Sequence, residues 1–397
     1  MRVSTGWIQQ QATTAMLDRQ SNLSSLQNQL GTGKRINQPS DDPVGAARAL
    51  ELGHLGADTT QYQRNISSAN ARLGLEDQTL SNTTNVLDRV RTLLVQGLNG
   101  TQTDATRGDI ATEMVQLRGQ LLGQANSKDG QGDYLFAGNR TGTEPFVSQA
   151  GGVTYAGDAG QRMVAAGPGL QVATGDPGSA VFGSIPTGNG TFAVSASAAN
   201  SGTAVAGASS VTNPAAWDGG SYQIVFTAAN AYEVRNGAGT VLGSGSYDAS
   251  TGGSVTFRGT QVAFSGTPAS GDSFALGPSG RQDVFTTLDK IIGALRQPNG
   301  GNAAAQNALN TQFANLDQAI GNVSRTRGMV GARMNALDQQ SALNGDLSVQ
   351  YTTALSKVQD LNYYDAISQL SAQTTALQAL QMTFSKIQGT KLFDYVR

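Results

Sequence analysis

Residues 362–397 read NYYDAISQLSAQTTALQALQMTFSKIQGTKLFDYVR. Leu370, Leu377, Leu380, Phe384 and Ile387 recur there at spacings alternating between three and four, with Gln373 as the single polar interruption. That rhythm sets them on one stripe of an α-helix. Ser, Gln, Thr and Ala lie between, giving a soft polar face with few charges. A helix with one apolar stripe needs a second surface to bury it. Nothing just upstream reads as a short hairpin partner, so the partner is expected far away in sequence.

The other end of the chain offers one. Met16, Leu23, Leu26 and Leu30 repeat the same rhythm, with Arg19 at the missing position. Two ordinary surface helices on a nearby core would also account for the stripes. The sharper expectation is a coiled coil, in which the two ends meet each other and copies from neighbouring molecules. Everything between them is then one long excursion.

The 397 residues suffice for two or three domains with cores of their own. A formal net charge of −2 gives no basic field for nucleic acid or anionic lipid. Only 14% of residues are charged, so protein contact would desolvate little charge. With no cysteine and a single histidine, His54, thiolate sites, disulfides and most acid–base schemes fall away. His54 reads as an exposed residue on a helix flank. No catalytic, cofactor-binding or metal site is expected, and no enzyme activity. The N-terminal MRVSTGWIQQQATT has no apolar core of a cleaved signal, and no run approaches the roughly 18 apolar residues of a membrane span.

Taken in order, the first helix should run from about Thr5 to Leu30, stopped by Gly31-Thr32-Gly33. A phosphate-loop reading of Gly33-Lys34 fails, because Asn28 and Arg35 stand where glycine and a hydroxyl are needed. Asp42 before Pro43 is a helix start, an N-cap acceptor followed by proline at the first helical position. Paired aspartates can do acid–base chemistry, but beside proline they read as caps. Leu52, Thr59, Ile66, Leu73, Leu80, Leu87 and Leu94 then fall at every seventh residue. Leu55, Tyr62, Ala69, Glu76, Thr83, Val90 and Gly97 fill the companion positions. So long a seven-residue repeat predicts coiled-coil packing against another long helix. A third helix is expected from about Asp104 to Ala125, and a short strand at Tyr134–Gly138.

From Val147 to about Pro278 glycine clusters and the periodicity becomes two. Strands are predicted at Thr191–Ser195, Ser221–Thr227, Tyr232–Arg235, Val255–Arg258, Gln261–Ser265 and Ser273–Leu276. Ala196–Ser210, low in apolar bulk, reads as a mobile loop or weak strand. Helical rhythm returns at Asp283. After a break at Pro298-Asn299-Gly300-Gly301, Leu309 to Leu337 marks a second long helix, long enough to lie antiparallel along the first. Arg327 sits on its stripe as a snorkelling or register residue.

The expected fold is α+β and multidomain. Residues 1–38 and 362–397 form terminal coiled-coil segments, 39–147 and 281–361 a long-helix rod, and 148–280 an inserted antiparallel β region at its tip.

These residues resemble the flagellin superfamily. Leu30-Gly31-Thr32-Gly33-Lys34-Arg35-Ile36-Asn37 is similar to the stretch after its first helix. Ser40-Asp41-Asp42-Pro43 resembles its acidic pair, in the form with proline found among hook-associated members. Gly132-Asp133-Tyr134-Leu135-Phe136-Ala137-Gly138 resembles the segment closing the helical core. Thr143-Glu144-Pro145-Phe146 and Tyr155-Ala156-Gly157-Asp158 resemble the next segments of hook-associated members. The region from Val255 to Phe274 is similar to a β module of hook-associated proteins. Asp360-Leu361-Asn362-Tyr363-Tyr364 and Leu392-Phe393-Asp394-Tyr395 resemble the acidic-aromatic signature and the usual ending. Asn362 departs from the family, which often has an acid there.

The resemblance implies a structural role outside the cell, in the bacterial flagellum. It implies export through the flagellar channel without a cleaved signal peptide, helped by an export chaperone. It further implies a junction between the hook, through hook-associated protein 1, and the flagellin filament, with copies of the chain assembling around a helical lattice. The assembly interface is expected to be Met16, Leu23, Leu26, Leu30, Leu370, Leu377, Leu380, Phe384 and Ile387. Gly31 and Gly33 would act as hinge, Asp42 and Pro43 as cap. Two other readings remain open: a flagellin of the filament body, or an adhesive module on a stalk with Trp217, Tyr222 and Tyr232 as a sugar platform.

Overall fold

Leu309, Leu316, Val323, Val330 and Leu337 are all buried and recur at every seventh residue, matching the repeat of the first long helix. The computed structural model describes residues 5–298 and 301–389. Among them are six α-helices: α1 (Thr5–Thr32), α2 (Pro43–Leu98), α3 (Asp104–Ala125), α4 (Val284–Leu295), α5 (Ala303–Gln359) and α6 (Tyr363–Gly389). The chain divides into a terminal unit, Met1–Arg64 with Gln340–Arg397, and a central unit, Asn65–Gln339. Both α2 and α5 contribute to each.

In the central unit α2 buries Ile66, Leu73, Leu80, Leu87 and Leu94, with Ala69, Glu76, Thr83 and Val90 beside them. The α5 stripe joins the same core. Polar pairs give the direction: Asn70 donates to Asp338 at 2.9 Å, Arg327 to Asp77 at 3.0 Å, and Arg91 to Asp317 at 2.8 Å. The α5 partner number falls as the α2 number rises, so the two run antiparallel. Arg327 indeed reaches out from the stripe to a partly exposed carboxylate. Helices α3 and α4 pack on each other and close this core with Met114, Leu121, Phe285 and Leu288. Asp283 Oδ1 caps α4 by accepting the Thr286 N–H at 2.7 Å.

All strand pairs are antiparallel. Three are two-stranded: β1 (Phe146–Gln149) with β2 (Gly152–Tyr155), β3 (Met163–Gly167) with β4 (Leu170–Ala173), and β5 (Ile185–Pro186) with a late strand, Arg281–Gln282. Further strands are β6 (Phe192–Ala196), β7 (Val205–Val211), β8 (Tyr222–Ala228), β9 (Ala231–Asn236), β10 (Val241–Ser246), β11 (Gly253–Phe257), β12 (Thr260–Ser265) and β13 (Ser273–Pro278); Arg281–Gln282 is β14. They form a five-stranded sheet, β10-β9-β8-β13-β6, and a three-stranded one, β11-β12-β7. Phe192, Phe226, Phe264 and Phe274 fill the core they share. Arg258 (φ 45°) and Gly259 (φ 74°) turn β11 into β12 with both central residues left-handed, the two-residue hairpin geometry that suits sheet twist.

Four asparagines of α5 dock the inserted region. Asn307 accepts the Ala206 N–H and donates to the Ala204 carbonyl, so it acts as a strand partner for β7. Asn310 donates to the Ala206 carbonyl, Asn315 accepts the Gly188 N–H, and Asn322 donates to the Ala180 and Val181 carbonyls.

One expectation needs correction. Tyr134–Gly138 is not a strand: only Tyr134 makes a bridge, to Lys128. Leu135, Phe136 and Ala137 are buried, but their backbone groups are bonded by separate loops, at Ser127, Gly178 and Asp158. Of the two readings of Ala196–Ser210, the weak strand holds for its second half, since β7 begins at Val205 and pairs with β12.

Candidate assembly interface

The end helices pack against each other. The end of α1 joins the start of α6 through a bridge between Lys34 and Asp360, and the Leu361 N–H donates to the Gly33 carbonyl at 3.0 Å. The pair is therefore antiparallel. Farther along, the Arg19 guanidinium donates to Gln373 Oε1 at 2.7 Å. These are the two polar residues that interrupt the apolar stripes.

Burial along the pair is incomplete. Met16, Leu23, Leu26, Leu30, Leu370, Leu377, Leu380 and Phe384 are all half-buried. The backbone of Ile387 is in α6, but its side chain lies outside the described residues. Other faces of the unit carry exposed apolar groups, among them Leu17 at 62% and Tyr364 at 83%. Trp7, Ile367 and Met382 are exposed too. Among the described residues of the terminal unit only Ile36, Leu52 and Ala366 are fully buried apolar side chains. Fully burying a Leu or Phe is worth about 1.5–3 kcal/mol, so two helices with half-covered stripes leave much of that stabilisation unrealised.

The connections at the foot of the pair are tightly bonded. Gly33 is left-handed (φ 70°), and a Cβ there would stand 2.9 Å from the Tyr363 hydroxyl. Gly31 lies inside α1, with open space around it. Arg35 donates through its backbone to the Gln359 carbonyl at 2.7 Å and through its guanidinium to the Val358 carbonyl at 2.8 Å. It also pairs with Asp42 at 3.2 Å. Asp42 Oδ1 accepts the Gly45 N–H at 2.9 Å, and Pro43 opens α2. That N–H, with Arg35, holds the Asp42 carboxyl below the usual carboxylate range. Asp41 accepts the Asn37 and Gln38 N–H groups. Asn362 caps α6, accepting the Tyr364 N–H at 3.2 Å. A neutral side chain thus does the capping where the resemblance leads one to expect an acid.

Sequence reasoning quoted Arg35, Ile36 and Tyr363 only as motif residues and gave neither them nor Ala366 a place at this foot. None belongs to a periodic stripe. The pairing of Arg19 with Gln373 was signalled only by their matching places in the two stripes. The aromatic trio of the insertion makes no shared platform: Tyr222 is buried against Trp217 and Phe257, while Tyr232 packs on Phe226.

Residues 3–141 match the bacterial flagellin N-terminal helical region. The crystal structure of Xanthomonas campestris FlgL aligns at 35% identity and TM-score 0.71, covering 76% of this chain and 98% of that one. The chain belongs to the FlgL, or flagellar hook-associated protein 3, family. The flagellar junction protein FlgL from Legionella pneumophila aligns at 33% identity and TM-score 0.65, over 71% of this chain and 96% of that one. Flagellar hook-associated protein 3 of Salmonella typhimurium is 35% identical over 179 residues, 43% of this chain. The chain spans little more than half the length of the curated hook-associated protein 3 relatives it matches. The FlgL likeness accounts for the α+β fold, with long helices at both ends of the described chain and antiparallel strands between.

Proposed function

We propose that this chain is a structural subunit of the junction between flagellar hook and filament. It bridges hook-associated protein 1 to flagellin and sits outside the cell after export through the flagellar channel with a chaperone's help. The observation that carries this reading is the terminal unit, whose two apolar stripes are half-covered by each other and whose fully buried apolar residues are few. Copies of the chain around a helical lattice would cover the rest, through heterologous contacts that repeat without saturating in a dimer. The interface comprises Met16, Leu23, Leu26, Leu30, Leu370, Leu377, Leu380, Phe384 and Ile387. Gly31 and Gly33 let the terminal pair adjust, while Asp42 and Pro43 hold the start of α2. Membership in a family that includes a flagellar junction protein supports this reading.

Complementation of a deletion strain tests it, with electron microscopy and an assay for flagellin in the medium. The wild-type gene should restore filaments. Leu377→Ala with Phe384→Ala should leave hooks bare and release flagellin, although the β region folds. Filaments in the uncomplemented deletion strain would overturn the proposal.

A further inference from the structure

The central unit holds a cluster of ionic side chains, of which Arg72, Glu76 and Asp176 are buried. Glu76 lies on α2 at a seam position and is 1% exposed. One turn earlier Arg72, 8% exposed, is ion-paired with Asp129 and donates to the Tyr134 carbonyl at 3.0 Å. Asp176, just after β4, receives both guanidinium nitrogens of Arg333 from α5 at 2.9 Å. It also accepts from Gln161 Nε2 at 2.7 Å. Arg162 faces Asp133 at 3.3 Å. Each of the three arginines therefore has an aspartate. Glu76 is the acid left over, and its Oε1 accepts the Asp176 N–H at 3.1 Å.

A buried carboxylate without a cation of its own is costly, and the neutral acid is the cheaper state. We propose that Glu76 is a proton site: the central unit takes up one proton on this carboxyl as it folds and keeps it in neutral medium. Burial and then the neighbouring Asp176 charge push Glu76 from 4.5 up to about 8, against smaller opposing pulls from the Asp176 N–H it accepts and from Arg333 and Arg72. Between those two values the unfolded chain has lost the proton and the folded chain retains it. Stability from this group is thus fully present below about 4.5 and declines as pH rises through about 8. Above that, an uncompensated carboxylate charge sits where α2, α5 and the β3–β4 hairpin meet, and the hairpin should loosen first.

The full-length protein, labelled with ¹³C at the glutamate carboxyls, decides the matter. The chain has Glu51, Glu76, Glu113, Glu144 and Glu233, so the spectrum is simple. One signal should titrate with a midpoint near 8 and vanish in Glu76→Gln. Denaturant unfolding supplies the linked readout. From pH 5 to 8 the wild-type folding constant should fall relative to Glu76→Gln by roughly a few hundredfold, because one bound proton makes about tenfold per pH unit between the two values and less near each of them. Hydrogen exchange in residues 163–176 should accelerate in the wild type over the same range, beyond its intrinsic rise. Parallel pH profiles of the two proteins would overturn the proposal. So would the absence of any wild-type glutamate signal titrating above pH 6.5, a result that stands even if the variant does not fold.

Discussion

Arg19 and Gln373, 354 residues apart, are bonded side chain to side chain at 2.7 Å. Each is the polar break in an otherwise apolar helical stripe. A polar pair at matching breaks of two stripes rewards one register, because sliding the helices would part the donor from its acceptor. Replacing both with Leu should therefore raise helicity and protease resistance of the terminal pair while broadening the oligomers formed. Light scattering with limited proteolysis checks both parts.

The two glycines at the end of α1 should behave oppositely. Gly31 is helical with free space around it, so Gly31→Ala should stabilise α1 by about 0.5–1 kcal/mol. Gly33 is left-handed and close to the Tyr363 hydroxyl, so Gly33→Ala should cost about 1–2 kcal/mol. If Gly31 also serves as a hinge, its alanine variant will be more helical in circular dichroism yet slower to assemble.

Asn307 is 5% exposed and serves a donor of β7, the Ala206 N–H, and the Ala204 carbonyl just before it. Asn307→Ala leaves the Ala204 carbonyl and the Ala206 N–H without that partner, at about 1–3 kcal/mol for a buried group left unmade. Hydrogen exchange should rise first in β7 and β12, with the α2–α5 core unaffected. Asn307→Asp, which keeps the acceptor and loses the donor, should give a partial effect.

Leucines of equal chemistry should differ by unit. Leu80 is 0% exposed, so Leu80→Ala should lower monomer stability by about 2–5 kcal/mol. Leu26 is half-buried in the end pair. Leu26→Ala should barely change the unfolding midpoint of the monomer while blocking assembly. Chemical denaturation beside a polymerisation assay separates the two.

The long helices were legible because their seams repeat at seven residues over many turns, and α5 falls antiparallel to α2 as its length suggested. The end stripes were legible for the same reason. Tyr134–Gly138 misled because an apolar aromatic run imitates a buried strand; its backbone partners come from three separate loops, at Ser127, Asp158 and Gly178. Strand β7 was obscured by small side chains, since Ala206, Gly207 and Ala208 carry little alternation, and Asn307 supplies part of the partner a sheet would give. The short hairpins β1–β2 and β3–β4 offered too few residues for a period. Glu76 was visible at its seam position, but the aspartate beside it lies 100 residues away. Burial of that acid therefore had no signature along the chain.

The proposed junction role rests on head and tail pairing with each other yet staying incomplete until neighbours arrive. Hydrogen exchange of the full chain, as monomer and after assembly, measures this directly. Fast exchange is predicted in α1 and α6 of the monomer, slow exchange in residues 66–94 and 309–337, and protection of α1 and α6 on assembly. Ends that exchange as slowly in the isolated monomer as the central core would contradict it.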